Sequence, residues 1–210
     1  MYKSDRNNSY LALVALACLI FAGLGCNLAD RLKAGSNGSS SDGPSTDRPT
    51  LGTSKSGKRM YEDADALADF VSELKGALGT DDPKLLDLLV YDSYIMVKVQ
   101  DPRKPENIDG YTYKEGSLGS PVPVKIMGNG KIEDNVFPIS EVNLAALPKL
   151  TEEIMGKLKD VEGGTMVGYS IDRGLPFDKE IGIMPLVNSS RKSITADADK
   201  NGKLVKWEVK

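Results

Sequence analysis

The C-terminal stretch DADKNGKLVKWE, residues 197–208, has the residue types and the spacing of a calcium-binding loop. Calcium prefers six to eight oxygen ligands, which carboxylate, amide and backbone carbonyl groups supply. Five residues of the stretch could provide such oxygens. They are Asp197, Asp199, Asn201, Lys203 (through its carbonyl) and Glu208. The pattern therefore predicts a calcium site if these oxygens converge.

The same stretch also has the pattern of a β-hairpin. An EF-hand has a helix on each side of its loop, whereas only two residues follow Glu208. Val205, Trp207 and Val209 alternate with charged residues, which is typical of a strand, and Asn-Gly between two such runs favours a tight turn. In an extended strand Glu208 would lie about 20 Å beyond the glycine of the turn. We therefore favour a hairpin without a metal or other cofactor, with calcium binding as the alternative.

Composition excludes several kinds of catalytic site. The 210 residues contain no histidine, which rules out Ser-His and Cys-His nucleophile pairs. The two cysteines, Cys18 and Cys26, both lie near the N-terminus, so the predicted folded part has no thiol nucleophile or thiolate zinc site. We expect no enzymatic activity, although carboxylate or lysine chemistry stays open as an alternative.

Charge gives few clues to a ligand. The net charge of −3 provides no basic surface for nucleic acid. Arg103, Lys104 and Arg173 are predicted to lie in loops between strands, at comparable points of the two halves of the fold. Loops on a rigid sheet often bind ligands, so these three are candidate binding residues, although scattered surface cations are usually only solvated.

The N-terminus has the pattern of a secretory signal. Lys3 and Arg6 precede an apolar run over residues 10–25, which is shorter than the about 20 apolar residues of a spanning helix. The run ends in Leu24-Gly25-Cys26 and resembles the lipobox of bacterial lipoproteins, with Gly23 at the position where leucine is usual. The resemblance implies cleavage before Cys26, acylation of this cysteine, palmitate included, and anchoring at the extracytoplasmic side of a membrane. An uncleaved anchor and a soluble secreted protein are the alternatives.

Residues 33–59 are rich in Gly, Ser, Thr, Pro and Asp, a composition that cannot bury enough apolar surface to fold. The predicted organisation has four parts. They are a signal peptide (1–25), the lipidated Cys26 with a disordered tether (26–59), a first α+β unit (60–140) and a second α+β unit (141–210).

Two amphipathic helices begin the two units. Their apolar stripes are Leu67, Phe70, Val71, Leu74 and Leu78, and Leu147, Leu150, Ile154 and Leu158. DDPKLLDLL is predicted to add a short helical turn, and strands follow from 94 and 166 onward. An offset of 72 aligns Asn129-Gly130 with the Asn-Gly of the C-terminal hairpin, without the acidic residues. We interpret the two units as a duplication, with one irregular α+β domain as the alternative.

The predicted fold class is α+β, with a curved antiparallel sheet and helices packed on one face. The order of elements and the ending SITADADKNGKLVKWEVK resemble PepSY-type domains, and the tandem arrangement resembles the β-lactamase-inhibitor-protein fold. These resemblances imply a binding or inhibitory module of the bacterial cell envelope or periplasm. The expected partners are therefore the membrane, through the lipid, and an envelope protein or peptide.

Overall fold

The structure is a computed structural model that describes residues 54–127, 130–174 and 180–210. In chain order its helices are α1 (Ala64–Leu78), α2 (Ile132–Asn135) and α3 (Leu147–Leu158), with 3₁₀ turns at Met60–Glu62, Ile139–Glu141 and Leu144–Ala146. None of these described helices is both long enough and apolar enough to cross a membrane.

The described strands form one antiparallel sheet of ten strands. They are β1 (Lys84–Tyr91), β2 (Tyr94–Asp101), β3 (Lys104–Lys114), β4 (Ser117–Leu118), β5 (Val122–Val124), β6 (Phe137–Pro138), β7 (Thr165–Arg173), β8 (Ile181–Asn188), β9 (Ile194–Asp199) and β10 (Leu204–Val209). The main strand order is β10-β9-β8-β7-β1-β2-β3-β4, while β5 pairs with β3 and β6 with β1. The predicted α+β class is confirmed.

The first strands of the two units pair at the centre of the sheet. β1 is antiparallel to β7, and from this pair β2 and β3 run outward on one side, β8 to β10 on the other. Each unit thus consists of a helix followed by a meander of neighbouring strands. The order of elements is the one that a duplication would give, and the duplication itself stays a prediction.

The two long helices form where the apolar stripes predict them. In α1 the side chains of Phe70 and Leu74 are fully buried, and the helix ends at Gly79, which has a left-handed φ of 65°. In α3 Leu150 and Ile154 of the second apolar stripe are buried in the same way. Apolar residues three and four apart share one face of a helix, so burial of this face stabilises each helix.

One side chain of each long helix contacts the same face of the sheet. The Phe70 ring packs against Tyr113 of β3, with ring centroids 5.7 Å apart. The hydroxyls of Thr151 in α3 and Tyr169 in β7 are hydrogen-bonded at 2.9 Å. Tyr113 and Tyr169 point to one side because the residue pairs that connect them across β2 and β1 are in register. At these points the core lies between this face and the helices.

The segment after Pro83, predicted as a short helical turn, is strand β1. The prediction was wrong because the run KLLDLLVY fits either structure locally. In the fold Leu85, Leu88 and Val90 are buried. β1 also pairs with β2 on one side and β7 on the other, and these contacts decide its conformation.

The folded part begins before the predicted boundary at Met60. Ser54 is 6% exposed, and its hydroxyl donates to Asp63 Oδ2 at 2.7 Å. Ser56 donates to the same oxygen. The rest of the predicted tether, together with Cys26, lies outside the described residues. Residues 54–59 therefore contribute contacts to the N-terminus of α1 rather than serving only as a spacer.

Replacing Asp63 by alanine is expected to lower the free energy of unfolding by about 0.5–2 kcal/mol at neutral pH. The carboxylate caps α1 by accepting from the N–H groups of Asp65 and Ala66, each at 3.2 Å. The hydrogen bond from Ser56, helped by Ser54 and these amides, lowers the pKa of Asp63 below its usual 3.8. This stabilisation is therefore complete above pH 3.8 and is lost as the pH falls through the lower pKa of the folded state.

Urea denaturation of wild type and Asp63→Ala at pH 7 and about pH 3 measures how much stability the Asp63 carboxylate contributes at each pH. The exposed Asp65→Ala is the matched control, since it removes a first-turn carboxylate whose side chain accepts none of the capping bonds. Equal losses in the two variants would show that helix charge, and not capping, is responsible.

Candidate functional site

The predicted calcium loop is the turn between β9 and β10. The N–H of Gly202 donates to the carbonyl of Asp199 at 2.9 Å, and Gly202 has a left-handed φ of 79°. A hydrogen-bonded turn followed by a left-handed glycine is typical of a three-residue hairpin loop. The hairpin is confirmed, although its loop is longer than the two-residue turn that Asn-Gly commonly forms.

The five predicted calcium ligands do not converge. Asp199 Oδ1 accepts from the N–H groups of Asn201 and Lys203, each at 3.0 Å, so it stabilises the turn itself. Glu208 lies farther along β10, opposite Thr195, and its carboxylate contacts lysine side chains at 3.6 and 3.7 Å. Within the part of the chain that the structure describes, no three acidic residues are placed to hold a metal.

Two details of the hairpin prediction were wrong, one in strand β10 and one in the segment predicted to repeat the hairpin. The register shifts between Leu204 and Lys206, so one extra residue is inserted and Val205, predicted to share a face with Trp207, is 61% exposed. The segment predicted to repeat the hairpin forms helix α2 after Lys131, whose carbonyl accepts from the Asn135 amide at 2.6 Å. Gly128 and Asn129 lie outside the described residues. The supposed repeat therefore gives no argument about calcium.

We expect the melting temperature of the full-length protein to be the same in EDTA and in millimolar calcium. If the native protein had a calcium site, calcium at about 100 times the dissociation constant would raise the melting temperature by roughly 5–10 °C.

Asp199→Ala is expected to lower the free energy of unfolding by about 1–2 kcal/mol because two amides lose their acceptor. Asp197→Ala is the matched control and should have little effect. A calcium-dependent rise that either substitution removes would show that the loop is a metal site.

The three candidate cations lie at one end of the sheet. Arg103 and Lys104 are exposed in the β2–β3 hairpin, where the Arg103 N–H donates to Asp101 Oδ1 at 2.8 Å. Arg173 is the last residue of β7, and its Nε donates to the Val136 carbonyl at 3.3 Å. β2 and β7 end at the same side because both are antiparallel to β1. Arg173 is thus partly used in packing, while Arg103 and Lys104 face solvent.

The sheet face opposite Tyr113 and Tyr169 carries three rows of cross-strand neighbours, and we call it the open face. Its acidic row is Lys98, Asp87, Asp172, Gly182 and Asp199. Its apolar row is Met96, Leu89, Ser170 and Met184. Its aromatic row is Tyr94, Tyr91, Gly168 and Leu186, in which the two tyrosine rings lie 4.8 Å apart. The large apolar side chains of these rows are half-buried.

Two carboxylates lie side by side at the centre of the open face, and one of them is paired with a lysine. Lys98 Nζ lies 2.7 Å from Asp87 Oδ2, and Asp87 is directly opposite Asp172. The Ser170 hydroxyl donates to Asp172 Oδ2 at 3.0 Å. Burial, with a smaller effect of the Asp87 charge, raises the pKa of Asp172 above its usual value. The Asp172 carboxylate therefore lies in a partly desolvated position, where its charged form is less favoured than in water.

Sequence analysis missed this cluster because its members come from three different strands. Asp172 is far along the chain from Asp87 and Lys98, and the three form no motif. A partial signal was present, since Asp87 and Lys98 each have apolar residues on both sides within their strands. Strand register, which decides that they meet, is not visible in any one of these segments.

The two described cavities lie away from the open face. One of about 420 Å³ lies between α1 and the β3–β4 hairpin and is lined by Glu73, Gly76, Tyr111 and Leu118. A smaller one of about 120 Å³ adjoins Asp63. Neither includes the carboxylates of the acidic row.

Comparisons with known proteins identify no family. No protein-family model matches the chain, and no curated protein matches it. Among solved structures it is similar to the crystal structure of a candidate lipoprotein from Clostridium difficile 630, with 14% sequence identity and a TM-score of 0.49. The similarity covers 69% of this chain and 92% of the other.

Proposed function

We propose that the protein is a lipid-anchored protein of the bacterial envelope that binds a partner protein or peptide through its open face and catalyses no reaction. The proposal rests on the three rows of cross-strand side chains on this face. An antiparallel sheet with one solvated face normally has polar residues there. Here half-buried methionine, leucine and tyrosine side chains form rows beside the acidic row, interrupted at Ser170 and Gly168.

The composition of the open face favours binding over catalysis. Tyrosine and methionine are enriched in protein interfaces, and an apolar patch rimmed by polar groups is typical of interaction surfaces. Met96 and Met184 can adapt to different partner side chains because methionine is unbranched and polarisable. The charged row beside them would fix the orientation of a partner.

The N-terminal sequence supports the anchor. Positive charge, a short apolar run and Leu24-Gly25-Cys26 follow one another in the order of a lipoprotein signal. Several acyl chains on one cysteine would give stable membrane attachment, which a single chain does not. A Gly/Ser-rich tether of the predicted length would span roughly 25–30 Å, enough to hold the open face away from the lipid.

Lipidation is tested with Cys26→Ser in the full-length protein expressed in a bacterial host. The variant is expected to lose incorporation of labelled palmitate and to leave the membrane fraction. Cys18→Ser is the matched control and should keep both properties. Labelling of Cys26→Ser at the wild-type level would overturn the anchor proposal.

Binding is tested with a photo-crosslinking amino acid placed at Met96 or Met184 on the open face. In living cells we expect a discrete covalent adduct with another envelope protein at these positions. The same group at Glu153, which is exposed on α3, is the control and should give no such adduct. Absence of adducts at both open-face positions, or equal adducts at Glu153, would contradict the proposed binding surface.

A further inference from the structure

We infer that the open face binds a partner segment that carries an arginine, and that its guanidinium lies over Gly182, between Asp172 and Asp199. The inference rests on the proposed function and names the chemistry of the partner. It follows from the charge of the acidic row, the space above Gly182 and the apolar row beside it.

The acidic row has an excess of negative charge. It contains three carboxylates and one ammonium group, and that group, Lys98 Nζ, is already 2.7 Å from Asp87. Among the described residues, no lysine or arginine side chain forms an ion pair with Asp172 or Asp199, and Asp199 Oδ1 accepts from the backbone N–H groups of Asn201 and Lys203. A cationic partner is therefore the complementary one, because matched charges across an interface favour association and fix its register.

The position of Asp172 makes a partner cation effective. Its carboxylate is in the centre of the sheet, beside Asp87, with Ser170 as its hydrogen-bond donor. Attraction between charges is stronger in such a partly desolvated place than at an exposed rim, where water screens it. A cation that covers Asp172 would also relieve the repulsion between the two opposed carboxylates.

Gly182 leaves room for this cation. A Cβ atom added at Gly182 would meet no atom within 4 Å, and the residue is exposed. It pairs with Asp172 on one side and Asp199 on the other, so the two carboxylates flank a position without a side chain. These flanking strands are about 9–10 Å apart, twice the spacing of adjacent strands. A planar group with donors on both edges fits this gap.

An arginine side chain fits between the two carboxylates better than a lysine side chain does. Its guanidinium presents five N–H donors in a fixed plane, can bridge two carboxylates and is more weakly hydrated than an ammonium group. Its aliphatic stem would pack along the apolar row, where Met184 and Leu89 lie next to the acidic row. The same row would take an apolar residue adjacent to the arginine.

The test uses the full-length protein and an acetylated, amidated octapeptide in which arginine and leucine alternate. The matched peptide has citrulline, a neutral isostere, in place of arginine. We expect wild type to bind the arginine peptide at least about tenfold more tightly than the citrulline peptide, measured by fluorescence anisotropy at fixed salt. Equal affinities would overturn the inference.

Variants at Gly182 separate charge from bulk. Gly182→Lys supplies a cation within the chain and is expected to weaken binding of the arginine peptide at least about tenfold. Gly182→Gln, which is neutral and of similar size, should weaken it clearly less. Gly156→Lys adds the same charge on α3, where a Cβ also meets nothing within 4 Å, and should leave binding unchanged. Equal weakening by Gln and Lys at position 182 would overturn the cation assignment.

Asp172→Asn gives a second measurement at the carboxylate itself. It should reduce the preference for the arginine peptide over the citrulline peptide, and an undiminished preference would contradict the inference. Displacement of the peptide by calcium but not by magnesium would assign the row to a metal and also overturn it. Crosslinking at Met184 remains an independent readout, so adducts without any arginine preference would leave the proposed function standing and reject only the partner chemistry.

Discussion

Replacing Gly168 by alanine is expected to lower the free energy of unfolding by about 3 kcal/mol, at the upper end of the cost of overpacking. Gly168 lies in β7 opposite Tyr91 of β1, at the pair of strands that joins the two units. A Cβ atom there would overlap the carbonyl oxygen of Val90 and come within 3.1 Å of its carbonyl carbon. The obstacle is backbone and not the end of a flexible side chain, so the two central strands would have to separate.

The matched control is Gly182→Ala, in the neighbouring strand β8. Its added methyl group meets nothing within 4 Å, so the change in stability should stay within about 0.5 kcal/mol. Both substitutions restrict the unfolded chain equally, which leaves the contact with Val90 as the difference. Urea denaturation of the three proteins measures it, and similar stabilities for the two variants would disprove the close approach.

Phe70→Ala is expected to cost about 3–5 kcal/mol. The Phe70 side chain is 0% exposed and packs edge-on against Tyr113, at an interplanar angle of 62°. Truncation would remove this contact and leave a cavity between α1 and the sheet that neighbouring side chains fill only in part. Folded domains have a total free energy of unfolding of about 5–15 kcal/mol, so this substitution would remove a large share of the stability of the protein.

Chemical denaturation with an unchanged m-value is the appropriate measurement for this variant, since it separates lost stability from a change in the unfolded state. Val122→Ala is the control, because Val122 is 64% exposed on β5 and its truncation should change stability by less than about 0.5 kcal/mol. A loss below about 1 kcal/mol for Phe70→Ala would contradict the described packing of α1.

Helices were predictable from sequence because their signal is local. The stripe that includes Phe70 and Leu74 repeats with the period of a helix, and nothing distant is needed to bury it. Strand β1 was predicted wrongly because its apolar run fits a helix or a strand, and its conformation depends on pairing with β2 and with β7, far along the chain.

The candidate site was beyond sequence analysis for the same reason. Asp87 and Asp172 meet through the register of β1 and β7, which no segment specifies alone. The extra residue at Val205 is a smaller example, since one inserted residue leaves Val205 exposed while Trp207, predicted on the same face, packs against the core. The turn at Gly202 could be predicted, because a left-handed glycine in a hairpin loop is a local requirement.

The pairing of β1 with β7 has a consequence for the order in which the chain folds. It joins residues roughly 80 positions apart, whereas β2 pairs with β1 and β3, and β9 with β10, across short turns. Closing short loops costs less entropy, so both meanders should form before the central pair does. Until then β1 and β7 each present an unpaired edge, which is a template for pairing with another chain. Refolding at high concentration should therefore yield domain-swapped dimers, in which β1 of one molecule pairs with β7 of a second.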